Sequence, residues 1–244
     1  MAEKAFRVEE TGRTSTVWLM RPDRGNKLLT DEIRELGRAI RQAGSRDNVV
    51  AVLVRAEGEA FCLGREPDPA GKAQTTALGL RSGVTEPILD LYADVRATPV
   101  PVIAVAQGEA RGFGCALVGQ CDLAIAADSA RFSMPEMDAH LPPTLAMSAV
   151  LGKIPPKRLM HLVYTRCQIS AEEALSLGLL SQVAPRAELD ATVEETVGRL
   201  TDRNRAAVCA VKEYMNLAPH VDPAAASRLA ANILSVVLSS PKEL

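Results

Sequence analysis

The stretch Gly108 to Asp138, GEARGFGCALVGQCDLAIAADSARFSMPEMD, decides how this chain is read. Its front is a glycine turn in which Gly112 and Gly114 flank Phe113 at the start of a small, apolar helix. The N–H groups of a helix's first turn have no partner inside the helix and sit at the positive end of its dipole. Such a turn can therefore hold an oxyanion. A Gly-x-Gly before a helix also serves plain close packing, so the turn by itself leaves function open. Behind the helix, DLAIAAD (122–128) reads as a strand, and beyond it Glu136 stands directly after a proline. Just upstream, VPVIAVAQG (100–108) is a continuous apolar run ending in a turn, the pattern of a strand buried on both faces of a mostly parallel sheet.

The same alternation extends towards the N-terminus. STVWLM (15–20) ends at the turn cluster RPDRGNK (21–27). A helix follows, with Thr30 as N-cap and apolar Ile33, Leu36 and Ile40 at helical spacing. VVAVLVRAEG (49–58) is a second strand buried on both faces, and EPILDLYADVRAT (86–98) a second helix. Between them, residues 64–87 are rich in Gly, Pro, Ser and Thr and are expected to form a mobile loop beside any site. Downstream of Glu136 every segment reads as helical: 143–154, 156–165, 170–179 with Ser170 as N-cap, 186–218 as one long helix, and 222–240. The expectation is an α/β layered core followed by a helical third.

Composition narrows the function classes. With 28 basic against 30 acidic side chains in 244 residues, scattered rather than striped, no nucleic-acid partner is expected. The apolar runs are too short to span a bilayer and MAEKAFRVEE has no apolar leader, so a cytosolic protein with no membrane partner is expected. Cys62, Cys115, Cys121, Cys167 and Cys209 show no CxxC spacing and the histidines are dispersed, so buried free thiols and no metal site are anticipated. There is no GxxxxGK[ST] and no dinucleotide fingerprint, which removes nucleotide hydrolysis and hydride transfer.

Two glycine turns follow buried strands: GEAFCLGRE, with Gly64 and Arg65, and GEARGFGCALVG, with Phe113. Together with RPDRGNKLL, the whole of PVIAVAQGEARGFGCALVGQCDLAIAADSARFSMPE, and QISAEEALSLGLLSQVAP, they make the chain resemble the enoyl-CoA hydratase/isomerase superfamily, the crotonases. The resemblance implies an α/β spiral of repeated ββα units over 1–190, helical from about residue 143 and carrying an acyl-CoA site. It further implies a C-terminal helical trimerisation region over 191–244, a homotrimer or hexamer, and a thioester substrate bearing coenzyme A with no further cofactor.

By the same resemblance, the backbone N–H groups of Arg65 and Phe113 form the oxyanion hole, and Glu136 is the acid/base that hydratases use with a second glutamate. The second glutamate's position holds Ala116. Isomerases that move a double bond from the 3- to the 2-position keep only the later glutamate, which favours isomerisation by Glu136 alone. Hydration stays open if Glu66, Asp68, Asp138 or His140 replaces the missing partner, as does a catalytically silent acyl-CoA-binding subunit. The family's coenzyme site points to Arg21, Arg24 and Lys27 as candidates to face the phosphates.

Overall fold

The computed structural model describes residues 4–66 and 76–239. In chain order the elements are β1 (Phe6–Thr11), β2 (Thr14–Leu19), α1 (Thr30–Gly44), β3 (Ala51–Ala56), α2 (Ala77–Leu80), α3 (Glu86–Ala97), β4 (Val102–Ala106), β5 (Ala110–Arg111), α4 (Phe113–Gln120), β6 (Leu123–Ala127) and β7 (Arg131–Ser133). They continue with α5 (Thr144–Val150), α6 (Pro156–Thr165), β8 (Ile169–Ser170), α7 (Ala171–Ser176), β9 (Gln182–Ala184), α8 (Leu189–Thr201), α9 (Arg205–Leu217) and α10 (Pro223–Ser239).

The main sheet runs β1-β2-β3-β4-β6-β9, parallel throughout except for the antiparallel β1–β2 hairpin. A small sheet, β5-β7-β8, lies beside it. The chain therefore spirals: β4 in the large sheet, β5 in the small one, then α4, after which β6 and β7 repeat the two-sheet step. This is the ββα repeat that the family resemblance implied.

The continuous apolar runs of β3, β4 and β6 sort by alternate residues onto two faces, because successive side chains of a strand point to opposite sides. Val52, Val54, Val102, Ala104 and Ala106 join the main core with Ile33, Leu36 and Ile40 of α1 and Leu91 of α3. Ala51, Leu53, Ile103, Val105 and Ile125 meet Leu189 and Val193 of α8. The division expected at residue 190 falls within α8.

Several local expectations are corrected. Strand β1 gave no apolar alternation to read, since its residues from Arg7 onward are exposed at the sheet edge. Helix α1 begins at Thr30 and not after it: Leu29 holds the cap position, and Glu32 Oε2 accepts the Leu29 N–H at 2.8 Å. The loop expected over 64–87 is helical from Ala77, where α2 runs through a π-helical turn (Arg81–Thr85) into α3. The helix expected over 186–218 breaks at Asp202–Asn204, where the Asn204 side chain accepts the Ala206 N–H at 2.8 Å and starts α9. Ser170 does cap α7: its hydroxyl accepts the Glu173 N–H at 3.1 Å while Glu173 accepts the Ser170 N–H at 2.9 Å.

Helix α9 is anchored by Lys212, only 5% exposed, whose Nζ donates to Val95 O (2.8 Å) and Val100 O (3.1 Å) and lies 2.7 Å from Asp122 Oδ2. Helix α10 folds back on α9 and has no buried residue among those described.

Candidate active site

Backbone hydrogen bonds stitch the two glycine turns together. Phe61 and Cys62 N–H both donate to Glu109 O (3.0 and 3.2 Å), and Arg111 N–H donates to Cys62 O (2.9 Å). Gly114 sits so close that a Cβ there would lie 2.0 Å from Cys62 O, so only glycine permits this approach of the helix start to the 62–65 turn. Asn26 fastens the turn before α1 to the same place, donating through Nδ2 to Glu57 O and Ala60 O at 2.9 Å.

Arg65 is held by a parallel bridge to Leu28 in which its neighbours make the bonds: Leu28 N–H donates to Gly64 O (3.3 Å) and Glu66 N–H to Leu28 O (2.8 Å). In extended chain alternate N–H groups face opposite ways, so the Arg65 N–H points away from Leu28. Phe113 is the first residue of α4, where N–H groups lack intrahelical acceptors. Among the described residues neither N–H has a protein acceptor. The Arg65 guanidinium turns aside, to Thr30 Oγ1 at 3.4 Å.

Glu136 follows Pro135 and opens a 3₁₀ turn, Glu136–Ala139. Gly112 N–H donates to Ser133 O at 2.9 Å, which holds the α4 turn against the strand leading to Glu136. Gly112 has φ +55° and ψ −116°, a conformation costly for other residues, and a Cβ there would meet Glu136 Oε1 at 3.0 Å. Among the described residues Glu136 Oε2 is buried without a hydrogen-bond partner. Burial raises the Glu136 pKa above the ordinary glutamate value, opposed by its own backbone N–H and by the positive charge of Arg111.

All three of these residues line one cavity of about 510 Å³. Leu63, Gly64 and Arg65 form one side, Arg111 to Phe113 and Glu136 another, and Ile88 and Tyr92 of α3 with Leu141 to Ala146 form an apolar end. The volume lies in the range of small-molecule sites. Of the described residues lining it, Glu136 is the one carboxylate.

The other candidates lie elsewhere. Ala116 is fully buried in α4, and its methyl belongs to the main core. The Glu66 carboxylate faces Arg24 at 3.5 Å, Asp138 pairs with Arg166 at 2.8 Å, and His140 is an exposed left-handed cap (φ +56°). None of these lines the cavity, and Asp68 lies outside the described residues. Arg21 is buried against Glu32, with Nη1 to Oε2 at 3.0 Å, so it braces the turn before α1. Arg24 is exposed and Lys27 half-buried beside the 62–65 turn, where its charge acts on the Cys62 thiol.

Sequence reasoning missed Ile88, Tyr92, Arg111 and the Leu141–Ala146 wall. The first two lie one helical turn apart on a helix that was expected, but nothing in the sequence says which element its apolar face meets. Tyr92 reaches Leu145 O through its hydroxyl at 3.4 Å and so ties α3 to that wall.

Residues 10–240 match the family profile described as enoyl-CoA hydratase/isomerase. Among curated proteins, a short-chain-enoyl-CoA hydratase of Clostridium acetobutylicum is 28% identical over 86% of this chain and 80% of its own length. Enoyl-CoA hydratase domain-containing protein 3, mitochondrial, of Mus musculus is 28% identical over 78% of this chain, a match spanning only 63% of that protein. Among solved structures, an enoyl-CoA hydratase from Mycobacterium smegmatis superposes with a TM-score of 0.91 at 27% identity, covering 98% of this chain and 93% of that one. Human enoyl coenzyme A hydratase domain-containing protein 3 gives 0.90 at 25% identity, covering 97% and 92%.

Proposed function

The chain belongs to the enoyl-CoA hydratase/isomerase family, and from that premise we propose that it binds an acyl-CoA thioester and moves a proton through Glu136, shifting a 3-enoyl double bond to the 2-position. The observation that carries this reading is a cavity in which one carboxylate faces two backbone N–H groups without protein acceptors.

The thioester oxygen accepts hydrogen bonds from the Arg65 and Phe113 N–H groups. Glu136 then removes a proton from the α-carbon, and the electron pair moves through the carbonyl into the oxygen, giving a dienolate. The charge that develops is met by donors already in place, each worth about 3 kcal/mol of barrier in comparable sites. Glu136 returns the proton to the γ-carbon, and the double bond comes to rest in conjugation with the carbonyl. Adding water across a double bond calls for a second positioned acid or base, and Ala116 cannot supply one.

The coenzyme belongs to the same proposal, with exposed Arg24 and half-buried Lys27 on the turn beside the cavity to meet its phosphates. So does assembly into trimers or hexamers, supported by the exposed Val211, Met215, Leu234, Val236 and Leu238 of α9 and α10. Sedimentation of the purified chain tests it. No helix among the described residues is long and apolar enough to cross a membrane. A cytosolic location is proposed, and fractionation of cells producing the chain tests it.

The deciding experiment incubates the protein with 2-enoyl-CoA and 3-enoyl-CoA in deuterated water and follows the products by mass spectrometry. Conversion of the 3-enoyl ester with deuterium exchange is expected. Hydrated product from the 2-enoyl ester would favour the hydratase reading, in keeping with the names of the relatives. Binding without turnover or exchange would leave a silent acyl-CoA-binding subunit.

A further inference from the structure

The cavity holds a charge that the proton-transfer chemistry does not use. Arg111 lines it between the two oxyanion turns, on the strand residue immediately before Gly112. Its backbone is fixed by the hydrogen bond to Cys62 O and by the pairing of β5 with β7, while its side chain is exposed and has no ion pair or hydrogen bond with any described residue. Among the described residues lining the cavity, the other cation is Arg65, which directs its guanidinium to Thr30. Among the described residues the wall is otherwise largely apolar, with Leu63, Ile88, Phe113, Leu141 and Leu145, and Glu136 is the one opposing charge. A neutral aliphatic acyl chain would bring nothing to pair with a guanidinium in such surroundings. A carboxylate would meet it in the bidentate geometry that guanidinium favours.

We infer that Arg111 selects an acyl-CoA whose acyl chain ends in a carboxylate. The inference rests on the acyl-CoA reading but not on the isomerase chemistry, because it concerns binding alone. The positive charge of Arg111 also acts on Glu136, opposing the effect of burial on its ionisation. A substrate carboxylate that pairs with Arg111 would weaken that effect and make the base stronger in the complex.

Calorimetric titration with two saturated esters of equal chain length, glutaryl-CoA and pentanoyl-CoA, separates the possibilities. Glutaryl-CoA is expected to bind about tenfold more tightly, the gain typical of a hydrogen bond to a charged group. Arg111→Met should abolish the preference while leaving pentanoyl-CoA affinity within about twofold, and Arg111→Lys should keep part of it. Equal affinity of the wild type for the two esters, or equal weakening of both by Arg111→Met, overturns the inference; the latter would place the guanidinium on the coenzyme. If neither ester binds, the acyl-CoA reading itself falls and the inference falls with it.

Discussion

Glu136 Oε2 is buried with no partner among the described residues, and its carboxyl is pushed upward in pKa by burial. A base must be ionised to act, so turnover should fall as pH drops through this raised value, above the range of an ordinary glutamate. The pH profile of deuterium exchange measures the inflection, and one at the ordinary glutamate value would show that burial is relieved in solution. The stability sign is opposite to that of a salt-bridged acid. The folded state holds the Glu136 proton more tightly than the unfolded chain, so stability falls as pH rises from the unfolded pKa through the folded one. Glu136→Gln should therefore abolish exchange, a loss of about 10²- to 10⁴-fold, while leaving the melting temperature at neutral pH unchanged or raised. A marked drop in melting temperature would assign Glu136 a structural role instead.

At the scale of elements, the site is a contact between two turns, and glycines set their separation. Gly114→Ala places a methyl on the Cys62 carbonyl, where backbone faces backbone and no flexible side chain can yield. It should cost roughly 1–3 kcal/mol, the range for overpacking, and reduce exchange more than Glu66→Gln does, since Glu66 lies outside the cavity. Denaturant melts and exchange rates of the two variants check this. Ser170→Ala removes the cap of α7 and should cost about 1 kcal/mol with the chemistry intact. The cap was legible because hydroxyl and carboxylate stand at the spacing their hydrogen bonds need. The break at Asp202–Asn204 was missed: it stands between two runs of good helix formers, and its one signal was the Asp and Asn pair, of which Asn204 caps α9.

Across the whole molecule, Lys212 joins the C-terminal helices to the core that carries the site. Its ammonium bonds the carbonyls of Val95, at the end of α3, and Val100, before β4, and pairs with Asp122, which also accepts the Val102 N–H at 2.7 Å. Removing one partner of a buried pair strands the other, so Lys212→Ala should destabilise by about 3–5 kcal/mol. Chemical denaturation measures this. If α9 instead docks mainly through its apolar contacts, the loss will be under about 1 kcal/mol.

The sequence by itself determined the layered α/β core, the two glycine turns and the carboxylate after Pro135, because those features depend on local chemistry: apolar runs that must be buried, turns that require glycine, a helix start that leaves N–H groups unpaired. The spiral came only through the family resemblance. It also determined the absence of an acid at position 116. Only the tertiary structure decided which groups share a cavity. Arg65, Phe113 and Glu136 meet there, whereas Glu66, Asp138 and His140 do not, and Arg21 turns inward to Glu32. Tyr92 and Arg111 enter the wall from a helix and a turn that the sequence did mark, but nothing in either segment said that these side chains would face the cavity. The reason is that burial and backbone pairing act on residues near each other in sequence, while the company a side chain keeps is set by how distant elements pack.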